Sequence, residues 1–236
     1  TDHHAHLWIS HWGDHRVLDR WSLHTEAHWR RADLGASAQQ LLFRPAVNFH
    51  LNDQVMFTVG YSHYLNQPYG EHPARFANWE HNIYQQAQIS RSIGRVRITD
   101  RLRMEERYIA RMKGDPSAEE GARFDGYTYQ NRLRYRIMAS VPLGRNTGDG
   151  PGPFTLHVYD EVFLNFGDDQ LPDHIQQNRI SALLGYRVNK PLQVMLGYLH
   201  QTIQRPGAVA GADLVEQNAT LHVVLACDLD LRKKDP

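Results

Sequence analysis

Arginine and glutamate recur at every second position in two long runs of this chain. In RLRMEERYIAR, residues 101–111, Arg101, Arg103, Glu105 and Arg107 alternate with Leu102, Met104 and Tyr108. In NRLRYRIMAS, residues 131–140, Arg132, Arg134 and Arg136 alternate with Leu133, Tyr135 and Ile137. Guanidinium and carboxylate groups pair bidentately, and an arginine surface also recognises anionic solutes. Glu26, Arg44, Glu80, Glu161 and Arg179 sit among apolar neighbours in the same way, which makes all these ionic residues one candidate network.

Two other chemistries need weighing. Fifteen histidines, among them His3, His4, His6, His11, His15, and His24 with His28, raise a metal site. Their spacing does not assemble the three or four converging ligands that zinc requires, so they read as surface or interface residues and no metal or cofactor is expected. A serine hydrolase needs a serine and a histidine within hydrogen-bond reach. Ser62 and His63 are adjacent and would face opposite sides of a strand; Ser140 or Ser181 could meet His81 or His200 across strands, but no motif selects them. There is no G-x-S-x-G elbow, P-loop or dinucleotide fingerprint, so no catalytic residue is assigned.

The elements that must carry these residues are strands. Helical periodicity is weak, whereas period-two alternation recurs between turn signals in about eleven segments. HLND, RSIGR and VNKP read as tight connections, and NQPYGEHPARFANW, MKGDPSAEEGARFDG and RPGAVAGADLVE as long polar loops. That alternation describes an up-and-down barrel in one domain, residues 1–236. Its ionic face lies opposite Ala27, Trp29, Phe43, Pro45, Val162 and Ile180, which fits either a soluble barrel with a greasy core or a membrane barrel with the faces exchanged.

Strand length and chemistry favour the membrane form. Segments of ten to fifteen residues suffice to cross a bilayer at a tilt. Trp8, Trp21, Trp29, Tyr61, Trp79, Tyr108 and Tyr186 fall near strand ends, where amphipathic rings suit the interface. The cations are mostly arginine, as side chains crowded into a lumen would need. The expected fold is therefore an all-β, antiparallel transmembrane barrel of ten to twelve strands with an Arg/Glu-rich lumen. Even parity points to ten or twelve rather than eleven. A formal net charge of zero disfavours a nucleic-acid partner, and one cysteine, Cys227, excludes an internal disulfide.

The blocks RWSLHTEAHWR, QQLLFRPAVNFHLN, GYSHYLNQPYGEHP, EHNIYQQ, RLRMEERY, NRLRYR, YDEVFLNFG, QNRISALLGYRV and MLGYLHQ, in that order, resemble the bacterial family called domain of unknown function 2490. The resemblance spans about Trp8 to Leu225. It implies a Gram-negative outer-membrane barrel made with a cleaved signal peptide, in contact with outer-membrane lipid, and it supplies no activity. The closing ACDLDLRKKDP lacks the terminal aromatic residue usual in such barrels. The expected role is noncatalytic: a narrow channel, a membrane anchor, or a platform whose long loops bind another envelope protein. The alternative is a membrane-embedded lipid hydrolase or lipid-modifying enzyme.

Overall fold

The computed structural model describes residues 1–115, 121–144, 152–166, 175–209 and 212–232. Eleven strands close into a barrel: β1 (Asp2–Leu18), β2 (Trp21–Ala32), β3 (Ser37–His50), β4 (Val55–Asn66), β5 (Asn78–Ile93), β6 (Val96–Gly114), β7 (Ala122–Pro142), β8 (Phe154–Phe166), β9 (Ile175–Arg187), β10 (Leu192–Val209) and β11 (Ala212–Cys227). Each strand pairs antiparallel with its sequence neighbours, and β1 closes on β11 in parallel, from Asp2↔Glu216 to Trp12↔Ala226. The count lies within the expected ten to twelve, but the parity expectation is corrected. With eleven strands the first and last point the same way, so the ring is mixed. The chain consequently enters on the side of the long loop at residues 67–77 and finishes β11 on the side of the tight turns.

Local chemistry accounts for those turns. Ile93 pairs with Val96 across Gly94 and Arg95, and Gly94 takes a φ of 57°, the positive value that a two-residue hairpin of the II′ type places at its first position. Asn52 and Asn189 accept backbone N–H groups of Val55 and Leu192 through their side-chain oxygens, at 2.8 and 3.0 Å, and so fix the other tight turns on that side. RPGAVAGADLVE is not a long loop: β10 continues to Val209 and β11 starts at Ala212, so this stretch lengthens a hairpin.

Period-two alternation separates two faces around the ring. Leu23, Phe43, Val59, Ile83, Leu102, Tyr135, Ile180, Leu196 and Leu221 are exposed on the outer wall, whereas Glu26, Arg44, Arg103, Glu105, Arg134 and Glu161 are buried inside. Outward-facing aromatic pairs occur at two levels. Trp21–Phe49 and Phe154–Tyr186 lie at the tight-turn ends of their strands, and Trp79–Phe124 and Phe124–Tyr127 at the opposite end. Trp8 does not join them: it is 2% exposed and faces inward. It sits with Tyr159, Leu183, Met195, Leu199 and Val224 in an apolar cluster on one side of the interior, so the lumen is part ionic and part hydrophobic.

Candidate functional site

The ionic side of the lumen is built on β2 to β9. Glu105 is completely enclosed; Arg132 reaches it through Nε at 2.7 Å and Nη2 at 2.5 Å, Arg134 through Nη1 at 2.7 Å, and Arg103 stands at 3.8 Å. Register explains the convergence, because Glu105 lies opposite Arg132 in the β6–β7 ladder and Arg103 opposite Arg134. Arg134 also holds Glu161 at 2.8 Å, and Arg101 reaches the same carboxylate from β6. Arg107 grips Glu80 with both arms of its fork, at 2.7 and 2.8 Å. Arg44 contacts Glu26 at 2.6 Å, Ser62 at 2.8 Å and Tyr64 at 2.7 Å.

Arg136 and Arg179, and the hydrogen bonds of Arg103, rest on neutral partners. Arg103 gives two hydrogen bonds to Gln86 and lies 4.2 Å from the centre of the Tyr84 ring. Arg136 packs 5.5 Å from the Tyr159 ring and Arg179 4.8 Å from Phe163. With its amide turned to satisfy its neighbours, Gln177 accepts from Arg179 Nε at 2.6 Å. Arg30, which the sequence reading left out, joins them: it bonds Gln40 at 2.5 Å and stacks 4.1 Å from the Trp8 centroid. Its inward place was legible, since Arg30 is four residues from Glu26 on one strand face. The sequence-predicted residues thus all line or underlie one cavity of about 500 Å³, whose walls run from Asp14, Asn48 and Thr58 to Tyr69, Asn78 and Arg205. Setting aside the Arg205–Glu216 pair at 2.7 Å and the aspartates Asp14 and Asp2 with their histidine partners His24 and His72, nine arginines and four glutamates of the described interior leave five guanidinium charges in excess of the glutamates.

The serine and histidine candidates are placed differently from expectation. Ser140 and Ser181 do not meet His81 or His200. Ser140 bonds His157 at 2.9 Å, Ser181 gives its hydroxyl to the Tyr198 carbonyl, and Ser62 serves Arg44. His63 and His81 pack on one another on the outer wall at 4.8 Å, and His200 bonds Gln217 at 2.7 Å. A serine–histidine pair backed by a carboxylate is Ser10 with His28, at 2.7 Å, where His28 in turn contacts Glu26 at 2.5 Å. With neutral imidazoles, His28 donates from Nε2 to Glu26 and accepts the Ser10 hydroxyl at Nδ1, while His222 donates to Ser10 Oγ at 2.9 Å. Ser10 is 2% exposed and its oxygen is held between two rings. Of the other histidines, His24 bonds Asp14 at 3.0 Å inside, and His11 and His15 share Thr25 at 3.0 Å each on the outer side.

Near the long-loop end, Tyr69 covers the cavity and stacks edge-on with His4 and His6. Burial, and then the neighbouring Glu216 carboxylate, raise the pKa of its phenol. Asp2, Glu71 and His72 also come together there, with donor atoms within 4.8 Å of one another and His72 Nδ1 2.8 Å from Asp2; two of the three residues are exposed. Compared with known families, residues 5–211 match the model described as "Protein of unknown function (DUF2490)". No curated protein and no solved structure matches the chain.

Proposed function

The chain belongs to the DUF2490 family, and we propose that it is a noncatalytic outer-membrane β-barrel of a Gram-negative envelope, made with a cleaved signal peptide, whose narrow lumen favours anions. One observation carries this reading: a wall of exposed apolar side chains, among them Leu23, Val59, Ile83, Leu102, Ile180 and Leu196, faces outward, and the guanidinium–carboxylate layer faces inward. In water such an arrangement forgoes hydrophobic burial on the outside while dehydrating ions within. In a bilayer it is the stable one, because lipid covers the wall and closure leaves no unpaired edge. The two levels of aromatic pairs support the same placement, with lipid as the partner of the wall. Strands of 12 to 21 residues exceed what a tilted crossing needs, so they project beyond the hydrocarbon and present the 67–77 loop to other envelope proteins.

The interior is too crowded for general diffusion. Its inward groups pair with one another across the ring, as in barrels of about eight strands rather than in 16-stranded porins. The uncompensated arginines would repel cations. The test is reconstitution in planar bilayers across a potassium chloride gradient: small steps whose reversal potential follows chloride are expected. Folding as a detergent-free monomer, or a reversal potential that follows potassium, overturns the proposal.

A second reading, a lipid hydrolase, has the Ser10–His28–Glu26 contacts in its favour. Against it, Ser10 is 2% exposed and its hydroxyl is already held between His28 and His222. Hydrolysis of a phospholipid or nitrophenyl ester that disappears in Ser10→Ala would establish it, and no hydrolysis by the unaltered barrel would remove it.

A further inference from the structure

We infer that the lumen is a binding site for a small, multiply charged oxyanion, phosphate- or carboxylate-bearing, held between Arg30 and Arg179 beside Trp8. This rests on the anion-favouring lumen proposed above and adds the ligand class and its place.

The five excess guanidinium charges cannot be removed by proton loss, since arginine stays protonated in proteins. They are unevenly spread. The four glutamates are taken by Arg44, Arg101, Arg107, Arg132 and Arg134. Arg30 and Arg179 have no carboxylate within ion-pair distance among the described residues. Arg30 is 7% exposed, and its Nε has no hydrogen-bond partner among them. Both guanidinium groups lie against the Trp8 ring, 4.1 and 5.1 Å from its centroid, so their carbons are no further apart than the sum of those distances.

An oxyanion gripped from two sides by guanidinium forks places their carbons roughly 7–8 Å apart, given charge-assisted contacts of about 2.8 Å. That separation is within reach here. The side chains beside Arg179, Gln177 and Gln201, are neutral amides, so no negative charge there competes with a ligand. Trp8, Arg30 and Arg179 all line the cavity of about 500 Å³, which falls within the range of about 300–1,000 Å³ usual for small-molecule sites. An excess of five guanidinium charges over the glutamates in so small a volume favours a multivalent anion over chloride.

The experiment titrates the purified barrel, folded in neutral detergent, with inorganic pyrophosphate and separately with citrate, by calorimetry and by thermal unfolding. Potassium chloride at matched ionic strength is the reference. Saturable binding by either oxyanion is expected, and the stronger of the two tells phosphate from polycarboxylate. Arg30→Gln and Arg179→Gln should each weaken it about tenfold or more, the scale of a lost hydrogen bond between charged groups. Arg91→Gln, on the outer wall where Arg91 pairs with Asp100, should leave it unchanged. Heat-modified gel mobility checks folding; if a glutamine variant fails to fold, Arg30→Lys and Arg179→Lys take its place and should weaken binding by losing the fork while keeping the charge. A shift that potassium chloride reproduces, or binding undiminished in every variant that folds, overturns the inference. Anion-selective conductance without such binding would sink this inference and leave the barrel reading standing.

Discussion

Glu105→Ala should be among the most destabilising single changes in this protein. The carboxylate is fully enclosed and accepts two charge-assisted hydrogen bonds, one from Arg132 and one from Arg134, with Arg132 Nη2 in ion-pair contact at 2.5 Å and Arg103 at 3.8 Å. Arg134 would keep Glu161, but Arg132 would retain only its packing 5.5 Å from the Phe163 ring. Removing one partner of a buried ion pair costs about 3–5 kcal/mol, chiefly because the other charge stays buried and uncompensated. Here the excess of guanidinium over glutamate charges also rises from five to six, so the upper end, about 4–5 kcal/mol, is expected. An exposed pair gives the contrast. Asp19, 92% exposed at its side chain and 3.1 Å from Arg232, should cost about 0–1 kcal/mol when changed to alanine.

The loop carboxylate Glu119, for which a similarly small cost is expected, lies outside the described residues. Guanidinium unfolding of the barrel in lipid vesicles, followed by tryptophan fluorescence, measures both variants. The double variant Glu105→Ala/Arg132→Ala should be less destabilised than the two single changes added together, because it removes the orphaned cation. Loss of less than about 1 kcal/mol in Glu105→Ala, or strict additivity in the double variant, would refute the reasoning.

Gly60→Ala should cost about 1–3 kcal/mol by overpacking, since a Cβ there would meet Tyr84 Cζ at 2.5 Å and Ala46 Cβ at 2.6 Å; an unchanged midpoint would show that Tyr84 does not lie flat over this glycine. Val59→Arg, on the outer wall, should cost about 2–4 kcal/mol in a bilayer, but almost nothing if that wall faces water; vesicle unfolding decides between them. Asp228→Asn should stabilise the protein at neutral pH. Burial, the largest influence on Asp228, raises its folded pKa above the unfolded value, so the ionised form is the disfavoured one. The gain should be full above the folded pKa and vanish as pH falls below the unfolded one; a pH-independent difference between the two proteins would contradict this.

Which residues face inward was legible wherever an ionic run alternated with large apolar groups, as in 101–107 and 132–136, because the period of a strand is two whatever surrounds it. Which carboxylate takes which arginine was not. That depends on inter-strand register: Glu105 meets Arg132 because β6 and β7 pair at Glu105↔Arg132, a fact absent from either strand alone. Trp8 was misplaced at the membrane interface for a related reason. Residue type suggested the belt, whereas alternation with Ser10 and Trp12 put it on the inner face, and the aromatic cue misled. RPGAVAGADLVE looked like a loop because glycine and proline were read as breakers; paired backbone around Val209↔Ala212 overrode that propensity. The Ser10–His28–Glu26 contact was hidden by its spread over two strands, although His28 and Glu26 share a face by simple counting.

The parallel seam is the one part of the ring that alternation could not foretell, and it needs support that the other pairs do not. Strand directions cannot alternate around a closed ring of eleven, so one ladder must be parallel, and a parallel ladder is slightly less stable per residue. Side chains compensate at that place. His222 of β11, Ser10 of β1, His28 and Glu26 of β2 and Arg44 of β3 form one continuous hydrogen-bonded chain across the seam. Trp8 packs edge-on against His222 and donates its indole N–H to Gln39 at 2.9 Å, which joins β1 to β3 a second time. Beyond the end of β11 the chain stays in register with β1: Arg16 N–H donates to the Leu229 carbonyl at 2.7 Å and the Leu231 N–H to the Arg16 carbonyl at 2.8 Å. The geometry that resembles a catalytic relay therefore has a sufficient structural cause. It ties together the strands that the odd count brings side by side, and it does so with groups whose hydrogen-bonding capacity is largely consumed by one another.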